Sequence, residues 1–104
     1  MTSKRLAEIE KRIGRIKAEL TAIDDMRPGS LTRQYKDPKS QSGPYYQLSY
    51  TRDMKSRTDY IARDCLREVR RQLGNYKRFK SLVAQWIALA IEHSRLQMKR
   101  ARRP

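Results

Sequence analysis

The feature that most constrains the fold is a run of apolar residues spaced alternately three and four positions apart near the start of the chain. Such spacing puts the apolar side chains on one stripe of an α-helix, as in the seam between helices that pack together. We expect a helix over residues 3–25, ended by Pro28–Gly29. A helix of about three heptads is marginal alone, so this one needs a partner. The run comprises Leu6, Ile9, Ile13, Ile16, Leu20 and Ile23.

A second helical pattern occupies residues 63–98. Its apolar stripe is widest over Leu82–Ile91, which predicts burial on more than one side. Gly74–Asn75 leaves open a kink or a break into two helices. Residues 99–104 are expected to form a basic, solvated tail. The apolar positions include Leu66, Val69, Leu73, Tyr76, Phe79, Leu82, Val83, Trp86, Ile87, Leu89, Ala90 and Leu96.

The segment between the helices, residues 30–62, has the composition of a β-hairpin. Apolar and polar residues alternate over Tyr45–Arg52, which predicts a strand. A turn at Asp53–Ser56 and a returning strand at Arg57–Ile61 follow. Ser30–Lys36 can add a third short strand, with Asp37–Gly43 as a polar turn.

The tyrosines of this region are expected to have different roles. Tyr46, Tyr50 and Tyr60 are predicted in the core with their hydroxyls at its rim, as is Tyr76 of the second helix. Both a core and a surface role remain open for Tyr35 and Tyr45. The side chain of Tyr45 lies on the strand face opposite Tyr46.

These patterns together predict an α+β fold that is mostly α, in a single domain over residues 1–104. An N-terminal helix would be followed by a Tyr-rich β-hairpin, or three short strands, and then by a long C-terminal helix packing antiparallel on the first. A seam this regular also suits a coiled-coil homodimer.

The charge of the chain points to an acidic partner. Its 25 Lys and Arg outnumber 11 Asp and Glu, for a net charge of +14. Nucleic acid is the commonest partner of so basic a small domain, and an anionic membrane surface or an acidic protein is the alternative. Of these we do not expect a membrane partner, and the longest apolar run, Trp86–Ile91, is too short to span a bilayer. The N-terminus does not resemble a signal peptide, so a cytoplasmic location is expected.

The basic residues are the candidate binding residues, and they concentrate in the second helix, the hairpin and the tail. Residues 63–104 hold twelve Lys or Arg against Asp64, Glu68 and Glu92, whereas faces that serve only solubility usually mix signs. These cations suit phosphates, and a basic, aromatic ribbon can enter a groove or stack on bases. The pattern favours neither DNA nor RNA. The predicted contacts are Arg33, Tyr45, Arg52, Lys55, Arg57, Arg63, Arg67, Arg70, Arg71, Lys77, Arg78, Lys80, Lys99, Arg100, Arg102 and Arg103.

Catalysis and metal binding have little support. Cys65 is the single cysteine and His93 the single histidine, whereas a zinc site needs several convergent ligands. We therefore predict no metal, no cofactor and no enzymatic activity, and we expect Cys65 to be a buried, inert thiol. The second functional hypothesis is a protein-interaction module, an adaptor or inhibitor that uses the helical seam and the basic surface. A small enzyme acting on nucleic acid through Tyr or Asp residues is the third.

Three short motifs resemble an uncharacterised prokaryotic domain family. They are Pro28-Gly29-Ser30-Leu31, Gly43-Pro44-Tyr45-Tyr46-x-Leu48-Ser49 and Asn75-Tyr76-x-x-Phe79. The resemblance covers roughly Asp24 to Leu96 and implies a helix, a Tyr-rich hairpin and a long helix in this order. Many members of that family carry a cysteine cluster, similar to a metal site, before the second motif. This chain has Asp37–Ser42 there without cysteine, so no metal role is implied. The resemblance also implies an association with mobile DNA elements.

Overall fold

The structure, a computed structural model, describes residues 2–102 of the 104. Its two helices and its sheet confirm the predicted α+β class. The elements are α1 (Thr2–Thr21), β1 (Ser30–Asp37), β2 (Ser42–Arg52), β3 (Lys55–Ile61), a short 3₁₀ helix (Arg63–Cys65) and α2 (Leu66–Ala101).

The chain forms two compact units. The helical unit joins the N-terminal segment up to Asp24 to the segment from Arg78 onward. The sheet unit is Asp25–Lys77 and contains the three strands and the first turns of α2. Each unit has its own set of buried apolar side chains.

The helical unit is an antiparallel pair made of α1 and the second part of α2. Ile9 and Ile16 of α1 are buried against Leu82 and Leu89 of α2, which confirms the predicted seam. The direction of the pair follows from its ion pairs. Arg5, near the start of α1, donates two hydrogen bonds of 2.6 and 2.8 Å to Glu92, near the end of α2. Partly buried side chains flank this core at Ile13, Leu20, Ile23, Trp86 and Leu96.

Both helices differ from their predicted bounds. α1 ends at Thr21, where the backbone changes to hydrogen bonds of the 3₁₀ type, between residues three positions apart. In one of them, the Ile23 N–H donates to the Leu20 carbonyl at 3.2 Å. Bonds of this type satisfy carbonyl groups that the helix end leaves unpaired. α2 runs unbroken through Gly74–Asn75 and extends to Ala101. Lys99 and Arg100 are therefore helical, and the tail predicted to begin at residue 99 was wrong.

The sheet unit contains an antiparallel sheet in the order β1-β2-β3. The third strand that the sequence left open is therefore present. Tyr46 and Leu48 of the central strand are buried, and so are Leu66 and Val69 of α2 in the same unit. We call the side of the sheet that carries Leu48 its inner face and the opposite side its open face.

Three expectations about burial were wrong. Tyr60 was expected in the core, but it is 74% exposed because its position on β3 points to the open face. Cys65 is exposed, since it lies in the 3₁₀ helix before α2. Ile87 and Ile91 are about half exposed, because within the helical unit α1 covers only one side of α2.

Neither helix has, within residues 2–102, a stretch long and apolar enough to cross a membrane.

Candidate nucleic-acid interface

A cleft of about 400 Å³ in the sheet unit brings together three of the predicted cations. Arg33 comes from β1, and Arg70 and Lys77 come from α2. Its remaining lining includes the side chains of Leu31, Tyr46 and Leu73 and the start of β1 at Gly29–Ser30. We call this site the basic cleft.

Strand register places Arg33 in the basic cleft. Arg33 pairs with Tyr46 across β1 and β2, so its side chain is on the inner face. Its guanidinium carbon lies 5.6 Å from the centroid of the Tyr46 ring, and its Nη1 donates to the Tyr35 hydroxyl at 3.5 Å. The pKa of Arg33 is raised by two hydrogen bonds, of which the one to Tyr35 has the larger effect and the one to Tyr46 the smaller. The two tyrosines thus hold a charged guanidinium at the cleft.

Helical spacing places the other two cations. Arg70 and Lys77 are seven residues apart, so their side chains lie on the same face of α2, two turns from each other. Leu73, between them, lines the apolar part of the cleft. No salt bridge among the described residues engages Arg70 or Lys77, and no carboxylate is among the described residues that line the cleft. Their charge is therefore available to an anion.

The start of β1 is held in place by Gly29, which belongs to the first motif, and by Arg27, which no sequence pattern singled out. Arg27 donates its backbone N–H to the Gln72 carbonyl at 3.3 Å and its Nη2 to Asp59 Oδ2 at 2.8 Å. Gly29 has φ +138°, and a Cβ there would lie 2.8 Å from Leu48 Cδ1. Only glycine fits so close an approach. These contacts fix the part of the cleft lining that Gly29 and Ser30 provide.

The sequence matches a known family model over more than half of its length. The family model described as Domain of unknown function (DUF6788) matches residues 4–71, more than half of the chain. The chain belongs to the DUF6788 family. Neither the curated proteins nor the solved structures contain a significant match to it.

Membership of DUF6788 confirms the expectation of an uncharacterised family. The match begins in α1, includes the whole sheet and reaches the first turns of α2. Arg33 and Arg70 therefore lie inside the DUF6788 match, whereas Lys77 and the Asn75-Tyr76-x-x-Phe79 motif follow it.

In the sheet unit of this DUF6788 chain, two predicted contact residues lie beside carboxylates. Arg71 donates to both carboxylate oxygens of Glu68, at 2.6 and 3.0 Å, and these hydrogen bonds lower the pKa of Glu68 to about 2. Arg52 Nε lies 3.9 Å from Asp53 Oδ2. The charge of these two arginines is partly offset.

The remaining predicted cations are not part of the basic cleft. In the sheet unit, Arg63, Arg67, Lys55 and Arg57 are exposed outside it. In the helical unit, Arg78 lies 3.5 Å from Glu19. Also exposed in that unit are Lys80, Lys99, Arg100 and Arg102, whereas Arg103 lies outside the described residues.

Tyr45 is on the open face, as its strand position predicted, and lies beside Tyr60. Their ring centroids are 6.1 Å apart. Tyr60 was missed as a surface residue because the register of β2 and β3 was unknown. That register pairs Tyr60 with Gln47, which shares the face of Tyr45.

His93 and Cys65 line neither the basic cleft nor the surface around Tyr45 and Tyr60. His93 is in the helical unit, with Nε2 3.4 Å from Glu10 Oε1. Cys65 is in the sheet unit. Over the part of the chain that the structure describes, no group of three or more His, Cys, Asp or Glu could hold a metal ion.

Proposed function

We propose that this protein binds nucleic acid through the phosphate backbone, with the basic cleft as the centre of the contact. The observation that carries the proposal is the convergence of Arg33, Arg70 and Lys77 from two elements on one cleft. The proposed activity is binding, and no catalytic step is part of it.

The chemistry of the cleft suits phosphate. An arginine fork can donate two parallel hydrogen bonds to phosphate oxygens, and lysine contributes a point charge. The predicted cations outside the cleft in the sheet unit, such as Arg63 and Arg67, would extend the contact along the backbone.

The proposal is tested by removing two cleft cations and comparing a charge-matched control. Arg70→Gln combined with Lys77→Gln should weaken binding to labelled single- and double-stranded DNA and RNA, measured by fluorescence anisotropy at several salt concentrations. Each lost phosphate contact should also reduce the salt slope, by about 0.9 on duplex DNA and about 0.7 on single strands. The control, Lys4→Gln with Lys11→Gln, removes the same charge from exposed positions of α1 and should leave the slope almost unchanged.

Two results would contradict the proposal. If the wild-type protein binds none of the four ligands at low salt, it is not a nucleic-acid-binding protein. If the control loses as much affinity as the cleft variant, binding depends only on net charge and the cleft is not its centre.

A protein-interaction module is the second candidate, and one observation favours it. Ile87, Ile91 and Met98 of α2 are 55, 48 and 56% exposed, and their spacing of four and seven places them on one stripe of the helix. An apolar stripe of this kind can meet a partner helix or a second copy of the chain. The absence of nucleic-acid binding at low salt in the experiment above would shift the proposal to this function.

The cellular setting is also part of the proposal. We place the protein in the cytoplasm, where nucleic acid is accessible. The association with mobile DNA elements that the motifs imply is compatible with this activity.

A further inference from the structure

An aromatic pair occupies the open face of the sheet. Tyr60 of β3 pairs with Gln47 of β2, and Tyr45 lies two residues before Gln47. The two tyrosines are therefore diagonal neighbours across adjacent strands, a position from which aromatic side chains can reach each other. Their planes are tilted by 44° at a centroid distance of 6.1 Å.

The exposure of Tyr60 is difficult to explain by folding. At 74% exposed, its ring removes little apolar surface from water and contributes little to the core. It lines a depression of about 460 Å³ together with Tyr35, Lys36 and Tyr45. That volume is within the range of roughly 300–1,000 Å³ that small organic groups occupy in proteins.

A cation is positioned at this depression by a glycine. Gly43 has φ +64°, and a Cβ there would lie 3.1–3.3 Å from the Cβ, Cγ and Cδ atoms of Lys36. The missing side chain leaves room for the stem of Lys36 to lie across β2. The depression thus combines aromatic rings with a positive charge, and no carboxylate is among its described lining residues.

The depression and the basic cleft are linked along β1. Arg33 lines the cleft, Tyr35 lines the depression, and the Arg33 guanidinium donates to the Tyr35 hydroxyl. The cleft is on the inner face and Tyr45 and Tyr60 are on the open face, so the two places lie on opposite sides of the sheet and are joined around its edge strand, β1. A flexible chain of nucleotides that passes over this edge can contact both places.

We infer that the ligand is a single-stranded nucleic acid, with one unpaired base stacking on Tyr45 and Tyr60. This inference rests on the proposed function and names the ligand class within it. Stacking needs a base whose face is free, and a duplex keeps its bases stacked on one another. Lys36 contacts the phosphate beside that base, while phosphates farther along the chain of nucleotides reach the basic cleft around the edge of the sheet at β1.

The test distinguishes base stacking from contacts to the phosphate backbone. Wild-type protein, Tyr60→Leu and Tyr60→Phe are titrated against a labelled thymidine homopolymer, the matching uridine RNA, a duplex of equal length and a strand with abasic sites. Tyr60→Leu keeps the charge and an apolar side chain, and should bind single strands about tenfold more weakly. Tyr60→Phe keeps the ring and should bind like the wild type. All three proteins should bind the abasic strand equally, and likewise the duplex.

Circular dichroism serves as the folding control, and the exposure of Tyr60 predicts unchanged spectra. A salt slope shared by Tyr60→Leu and the wild type would support stacking, because the lost contact is uncharged. If Tyr60→Leu binds intact single strands like the wild type, or loses as much on the abasic strand, the stacking inference is wrong and the basic cleft stands. If the wild type binds no nucleic acid at low salt, the inference and the proposed function both fail.

Discussion

At the scale of single residues, the turn between β2 and β3 has a costly backbone conformation. Its two residues, Asp53 and Met54, have φ of 52° and 63°. These angles belong to the left-handed region of a two-residue hairpin turn, where Asn-Gly or Asp-Gly is preferred. For an L-residue other than glycine that region costs roughly 1–2 kcal/mol. The side chain of Met54 is 98% exposed, so packing does not offset this cost.

Met54→Gly should therefore raise the free energy of unfolding by about 1 kcal/mol. Urea denaturation followed by circular dichroism measures the change. Met54→Ala is the control, because it keeps the Cβ that causes the strain and should have almost no effect. A stability of Met54→Gly below that of wild type would show that the turn is not strained.

Neighbouring residues can also have opposite roles in binding. Arg70 lines the basic cleft, whereas Arg71, one residue later, is held by the Glu68 carboxylate. A helix turns by about 100° per residue, so adjacent side chains face different surroundings. Arg70 is expected to contribute more to nucleic-acid binding than Arg71 does.

At the scale of elements, each helix contains a glycine that its packing does not require. A Cβ added at Gly14 of α1 or Gly74 of α2 would meet nothing within 4 Å. Glycine inside a helix costs about 0.5–1 kcal/mol relative to alanine, because the unfolded chain loses more freedom when it orders. Neither glycine breaks its helix.

Gly14→Ala and Gly74→Ala should each stabilise the protein by about 0.5–1 kcal/mol. Chemical denaturation measures the change, and Gly29→Ala is the contrasting variant. It should destabilise, because Gly29 combines a positive φ with an approach of 2.8 Å between an added Cβ and Leu48. A loss of stability in Gly74→Ala would indicate that this glycine has a packing role that its surroundings do not show.

At the scale of the whole molecule, a net charge of +14 affects folding and binding in opposite ways. Repulsion among like charges destabilises the compact state, and salt screens that repulsion. Salt also weakens phosphate contacts, because each counterion released from the nucleic acid gains less entropy when the bulk salt concentration is higher.

Raising the NaCl concentration should therefore increase the Tm of the free protein while it lowers its affinity for nucleic acid. Thermal unfolding and anisotropy on the same samples measure both quantities. The Lys4→Gln, Lys11→Gln variant has two fewer charges and should gain less Tm from salt. A Tm that falls with salt would mean that attractive ion pairs, such as Arg5–Glu92, outweigh the repulsion.

Local patterns in the sequence were enough to predict the helices, the strands and the core of the helical unit. The spacing of Ile9 and Ile16 identified the buried side of α1, because helical periodicity depends only on residues a few positions apart. Alternation in β2 identified the buried face of Tyr46 and Leu48 in the same way.

Local patterns could not predict which residues of different elements come together at one site. Sixteen side chains were candidate contacts, yet Arg33, Arg70 and Lys77 alone among them line the basic cleft within the part of the chain that the structure describes. Tyr60 reached the open face through a register that pairs it with Gln47. Register and the approach of a strand to a helix depend on residues distant in sequence, so they emerge only when the chain packs.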